Sequence, residues 1–158
     1  MSALNAGAVN GLNTEGLIKV AEVTFTETAG AGVYTGSVLV PAGSTLLDVQ
    51  VQNTALWAAA DSATMIVGDA DDPNGFYDAI DLKATDLLVA EVIRFGATGG
   101  KEGAYVVNAT GELNSYQATA RTITGEITTV GATGTTGRTR MLVVWATPAA
   151  SAATKVAS

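Results

Sequence analysis

From Val33 to Asp81 the chain reads VYTGSVLVPAGSTLLDVQVQNTALWAAADSATMIVGDADDPNGFYDAID. The punctuation of this stretch constrains the fold more than any other feature. Tyr34–Val40 alternates, with Tyr34, Gly36, Val38 and Val40 on one face. Pro41-Ala42-Gly43 then reverses the chain, because proline presets φ and glycine accepts a positive φ. Thr45–Asn53 alternates again: Leu47, Val49 and Val51 share one face, Asp48, Gln50 and Gln52 the other. That is the pattern of a strand with one side in a core. Thr54–Ala60 is short and alanine-rich around Leu56 and Trp57, and reads either as a helical turn or as a loop that plugs the core with Trp57. Ser62–Gly68 is a further strand, and Asp69–Tyr77, with its Asp-Asp-Pro-Asn-Gly, is a loop.

The rest of the chain follows the same grammar. Leu17–Thr28 alternates around Val23 and Phe25, but Ile18 and Val20 have the opposite parity, which suggests a bulge at Ala21 or a strand buried on both faces. Ala29-Gly30-Ala31-Gly32 is a turn. Asp86–Phe95 is open between one helical turn followed by a strand from Val89, and a single amphipathic helix. Gly96–Gly103 reads as a loop, Ala104–Asn108 as a short strand, Tyr116–Val130 as a long one and Gly131–Gly137 as a turn. Arg138–Thr147 closes the domain, with Met141, Val143 and Trp145 on one face and Leu142 and Val144 on the other. About eight strands between glycine-rich turns predict a single all-β domain over residues 17–147, a β-sandwich or jelly-roll-like barrel. An N-terminal arm (1–16) and a C-terminal tail (148–158) flank it. The arm has isolated apolar residues Leu4, Val9 and Leu12 and no period, so it needs its own domain or a neighbouring subunit to hold it.

Composition removes whole classes of function. The 158 residues include no Cys and no His, so Ser-His-Asp, Cys-His and His- or Cys-zinc sites cannot be built. The net charge of −7, with Lys+Arg at only 8, gives no electrostatic footprint for nucleic acid or an anionic membrane. No apolar run approaches the roughly 20 residues of a spanning helix, and the first residues lack the basic start of a secretory signal. Charged residues make up 15% of the chain, below the usual quarter. Such a surface suits a domain partly buried against other chains; an ordinary β-domain with a threonine-rich surface is the alternative.

The motifs with chemical potential are weak. Asp69-Ala70-Asp71-Asp72-Pro73-Asn74-Gly75 has the carboxylate density of a calcium loop, but Pro73 stands where a third ligand belongs and the glycine comes late. A solvated turn accounts for it. The run from Gly131 to Arg138 lacks the first glycine and the lysine of a phosphate loop. Asp78, Asp81, Asp86 and Glu91 offer carboxylates for glycoside hydrolysis, though nothing in their spacing requires it. Arg138 and Arg140, on one strand face, could pair with carboxylates across a subunit contact or be ordinary exposed charge. No catalytic residue, metal ligand or cofactor is assigned.

The segment GVYTGSVLVPAGSTLLDVQVQNTALWAAADSATMIVGDADDPNGFYDAIDLKATDLL, with the later GKEGAYVV and ITGEITTVGATGTTGRTRMLVVWATP, resembles the capsid decoration (cement) proteins of tailed bacteriophages. The resemblance spans about Gly32–Pro148. It implies a virion protein, made in the bacterial host cytoplasm, that binds the major capsid protein on the outer capsid surface, often as a homotrimer, and stabilises the shell. Leu4, Val9, Leu12 and Leu17 are the expected contacts of the arm, with Arg138 and Arg140 at a subunit contact. A tail or head–tail connector protein, and a carbohydrate- or calcium-binding adhesive module, are the alternatives.

Overall fold

The computed structural model describes residues 17–106, 115–131 and 134–147. These residues form eight strands: β1 (Ile18–Thr26), β2 (Val33–Val40), β3 (Thr45–Ala55), β4 (Ser62–Gly68), β5 (Tyr77–Asp81), β6 (Val92–Ile93), β7 (Arg121–Val130) and β8 (Arg138–Ala146). One sheet has the order β1-β8-β3-β6, the other β2-β7-β4-β5. Every strand pair is antiparallel. The chain is in effect a long hairpin. β1 pairs with β8, β2 with β7, β3 with β6 and β4 with β5. Wrapping that ribbon on itself adds the β3–β8 and β4–β7 ladders and yields a jelly-roll sandwich. The β4–β5 loop is thus the tip of the hairpin. The two ends of the domain lie together at its base, where the Thr147 amide donates to the Leu17 carbonyl at 2.8 Å.

The core is the space between the sheets. Val49, Val51, Met65, Val67, Ile80, Ile123, Ile127, Met141 and Val143 are all fully buried. Each such aliphatic side chain is worth roughly 1.5–3 kcal/mol relative to exposure. Gly36 faces Gly125 across β2 and β7, and the missing side chains make room for Phe25. A Cβ on Gly36 would stand 2.4 Å from Val23 Cγ1, and one on Gly125 would stand 3.0 Å from Phe25 Cζ.

Two sequence expectations for β1 and β3 change places. β1 runs along β8 without a register shift, so there is no bulge at Ala21, and Ile18 and Val20 point outward into solvent. The bulge lies instead in β3, between Leu46 and Asp48. It puts Leu46 in the core and Leu47 on the surface. An alternation count across a bulge assigns the wrong leucine because one extra residue reverses the parity.

Other boundaries also move. Asp86–Phe95 contains no helix; a turn at Leu82–Thr85 leads to the two-residue strand β6. Ala104–Val106 is a turn, not a strand. The eighth strand is β5, which sequence alone treated as the end of a loop. β7 begins at Arg121, and Tyr116 makes only an isolated bridge to Thr45. The arm residues Leu4, Val9 and Leu12 and the tail from Pro148 lie outside the described residues.

Buried polar groups tie the sandwich together. Trp57 does plug the core, from an extended loop. Its Nε1 donates to Thr139 Oγ1 at 2.8 Å, Thr139 donates to Asn53 Oδ1 at 2.6 Å, and Asn53 Nδ2 donates to the Leu82 and Leu87 carbonyls. The Tyr77 hydroxyl donates to the Val49 carbonyl, joining β5 to β3 across the core; burial pushes its phenol up, with Asp48 adding to the effect. Glu27 is 3% exposed, and its Oε2 accepts from the Ala58, Thr136 and Gly137 amides. Glu27→Ala leaves those amides without their acceptor. Equilibrium urea unfolding should show a loss of about 3 kcal/mol, with Glu27→Gln intermediate.

Candidate functional site

Asp69 follows β4 directly and organises the hairpin tip. Its amide donates to the Asp72 carbonyl at 3.0 Å, closing the turn. Its Oδ1 accepts from the Asp71 and Asp72 amides, each at 3.1 Å, and from the Tyr105 hydroxyl at 3.1 Å. Its Oδ2 lies 3.6 Å from Arg121 Nη1. Both oxygens therefore have partners within the fold, in the arrangement of an Asx turn. Among the described residues no group of three or more acidic side chains is arranged to hold a metal ion.

Arg121 opens β7 and is 8% exposed. Its guanidinium lies 5.4 Å from the centre of the Phe76 ring, which packs against Phe95 and Tyr105. Burial pulls the Arg121 guanidinium down, and the charge of Asp69 opposes that fall. Ion pair and aromatic cluster together hold the tip against the body of the sandwich. Nothing in sequence spacing links Asp69 to Arg121; the β4–β7 ladder brings them together.

Three of the four carboxylates considered for hydrolysis accept hydrogen bonds from backbone amides, and Asp86 and Glu91 line one pocket. Asp81 Oδ1 accepts from the Lys83 amide at 2.7 Å, and Glu91 Oε2 from the Leu88 amide at 2.8 Å. Asp86 accepts from the Asp81 amide at 2.7 Å and pairs with Lys101 at 2.9 Å. Asp78 is exposed, and its amide donates to the Lys101 carbonyl. Burial alone would raise the Asp86 carboxyl, but Lys101 and the Asp81 amide hold it below the usual carboxylate range.

A groove of about 220 Å³ on the outer face of the β2-β7-β4-β5 sheet is lined by Ile66, Asp69, Ala70, Pro73, Thr122, Thr124 and Glu126. Among the described residues neither threonine hydroxyl there is hydrogen-bonded to a carboxylate. Its walls are largely apolar, from Ile66, Ala70 and Pro73, with hydroxyl and acidic groups between them.

The outer face of the β1-β8-β3-β6 sheet has a different character. Register places Ile18 beside Ala146 and Val20 beside Val144. Arg138 and Arg140 do share this face. Arg140 pairs with Glu22 of the neighbouring strand, and this guanidinium, helped by the Thr24 hydroxyl, holds the Glu22 carboxyl below its ordinary value. Arg138 is exposed. Leu17 sits where β1 meets the end of β8. Sequence reasoning missed the apolar part of this face because it placed Ile18 and Val20 in a bulge or a core, and Leu47 inside.

No protein-family model matches the chain, and no curated protein matches it. Solved structures do share its fold. A chain in the acid-stable capsid of Helicobacter pylori bacteriophage KHP30 superposes with a TM-score of 0.55 at 15% identity, covering 85% of this chain and 91% of that one. A chain of the capsid asymmetric unit of cyanophage Pam1 superposes with a TM-score of 0.54 at 20% identity, covering 84% and 86%. At these identities the likeness is one of fold.

Two measurements check the site. Arg121→Met leaves the buried Asp69 carboxylate without its countercharge and should cost about 3 kcal/mol. Adding Asp69→Asn should cost less than the sum of the two single changes, in a double-mutant cycle by urea unfolding. The Asp86 carboxyl is lower in the folded chain than its unfolded value of 3.8. Its contribution is therefore present above about pH 4 and is lost as pH falls through the folded value. The melting temperature should drop below pH 4, and less steeply in Asp86→Asn.

Proposed function

We propose that this chain is a virion structural protein of a tailed phage, without enzymatic activity, that decorates the outside of the capsid and stabilises the shell. The observation that carries the reading is the superposition of more than four-fifths of the chain on chains of two phage capsids. Three further features support it. The carboxylates of Asp69, Asp81, Asp86 and Glu91 are engaged in structural hydrogen bonds. The Thr- and Ala-rich exterior is poor in charge. One sheet presents an apolar outer face. Each feature suits a protein whose work is contact repeated by symmetry, where weak interfaces sum through multivalency.

In this reading the chain acts as a homotrimer on the major capsid protein, at local three-fold positions. The arm residues Leu4, Val9 and Leu12, with Leu17 at its root, reach the shell, and Arg138 and Arg140 lie at the contact between copies. The protein is made in the host cytoplasm and ends on the capsid surface.

The test is to mix purified protein with bare capsids and image the particles by cryo-electron microscopy. Density at three-fold positions on the outer surface, and a capsid that melts at higher temperature, are expected. Deleting residues 1–16 should weaken co-sedimentation with capsids while leaving the circular dichroism of the domain unchanged. Rings or tubes without capsid binding would assign the chain to the tail or connector instead. Undecorated capsids at saturating protein would end the decoration reading.

A further inference from the structure

The outer side of the β2-β7-β4-β5 sheet carries an acid that nothing in the fold answers. β7 alternates, so Ile123, Gly125 and Ile127 enter the core while Thr122, Thr124 and Glu126 face out. Register sets Glu126 beside Ile66 of β4, which also faces out because Met65 and Val67 are buried. Glu126 is half-buried. Among the described residues no hydrogen bond or ion pair engages its carboxylate. Asp69, Asp81, Asp86 and Glu91, by contrast, each accept from a backbone amide. Partial burial of an unpaired carboxylate costs free energy, which a cation brought to it would offset.

Glu126 stands at one end of the groove of about 220 Å³ on this face. Glu126 and Ile66 form one row, and Thr124 and Gly68 the next. Beyond them rises the turn that begins at Asp69. Gly68 lets that turn fold down on the sheet, since a Cβ there would collide with the Asp72 carbonyl and with Pro73. Ala70 and Pro73 then add their apolar surface to that of Ile66. The volume is below the roughly 300 Å³ at which sites for whole small molecules begin. It suits one long side chain, its methylene stem on the apolar walls and its head at Glu126.

Charge selects the head. The strands of this sheet hold a single basic residue, Arg121, which is turned inward over the Phe76 ring beside Asp69. Asp71, next to Ala70 in the turn, is exposed and has no ion pair, so the mouth of the groove is negative. Arginine fits this setting better than lysine. Its guanidinium is the more weakly hydrated and offers a planar fork to a carboxylate, with the Thr122 and Thr124 hydroxyls as further acceptors along the groove. Arginine is also enriched, and lysine depleted, where proteins meet.

We propose that this groove receives an arginine side chain from a partner protein, Glu126 taking the guanidinium and Ile66, Ala70 and Pro73 the stem. The inference goes beyond attachment to a shell and holds whichever chain presents the arginine.

The experiment titrates the full-length chain with arginine blocked at both ends (N-acetyl, N-methylamide), followed by ¹H–¹⁵N NMR. Shifts should gather at the amides of Ile66, Ala70, Thr124 and Glu126, with a dissociation constant on the order of millimolar. Glu126→Gln should weaken binding at least about tenfold with native melting. Ile66→Lys sets a cation of the chain's own beside Glu126 and should abolish it. Asp78→Asn, exposed on β5, removes the same charge elsewhere and should leave binding unchanged. Blocked norleucine, a stem without the head, should bind at least about tenfold more weakly than blocked arginine, and blocked lysine should also be the weaker ligand. A native chain that shows no shifts overturns the proposal, as does binding that survives Glu126→Gln or that norleucine or lysine matches. Equal loss in Asp78→Asn makes the effect one of net charge and overturns it too. Bare capsids that stay undecorated sink the capsid reading and leave this site standing.

Discussion

The structure depends on one constraint: the first half of the chain must pair, antiparallel and in reverse order, with the second. Each of β1 to β4 takes its hairpin partner from β8 to β5, so neither half has a complete sheet without the other. Once those ladders form, the inward residues of both sheets must meet, and the core is the result. The Gly36–Gly125 pair shows how closely the layers are matched, since the space left by two absent side chains is filled by Phe25 from the opposite sheet. The price is a set of contacts far apart in sequence, with the entropic cost of closing long loops before they form.

The same winding explains where the polar groups go. Antiparallel sheets satisfy their own backbone, but the loops that cross from sheet to sheet do not. Glu27, Asn53, Asp69 and Asp86 meet that need. Each accepts from, or donates to, backbone groups of a loop that would otherwise be unpaired. The carboxylate oxygens of Glu27, Asp69 and Asp86 are thereby engaged in holding the loops. What is left for interaction is the exterior, where the two sheets differ. One face carries threonine hydroxyls and acidic groups together with exposed Val33, Leu39 and Val130. The other has apolar rows beside charges of both signs.

Much of this was legible before the fold was known. The alternation in Val33–Val40 and Met141–Trp145 named the inward residues, Pro41-Gly43 marked a reversal, and Trp57 was recognisable as a plug. Strands were misread where the period broke. The β3 bulge reversed the parity of Leu46 and Leu47. β5 hid in a loop because five residues between turns are too few to show a period. Asp86–Phe95 has an apolar run but forms only two residues of strand, since only Val92–Ile93 pair with β3 while the Glu91 amide bonds back to Leu88 and Arg94 bonds to Ala97. The Asp69–Arg121 pair had no local signal at all.

Sequence by itself determined the class: an all-β sandwich or jelly roll without histidine or cysteine chemistry and poor in charge. Those conclusions follow from side-chain period, turn residues and composition, which are local properties. Only the tertiary structure decided which strands are neighbours, and so which outward residues lie side by side. Ile18, Ala146 and Thr45 are far apart along the chain and neighbours in register. The reason is that ladder register is a pairing between distant segments, and no local pattern encodes it.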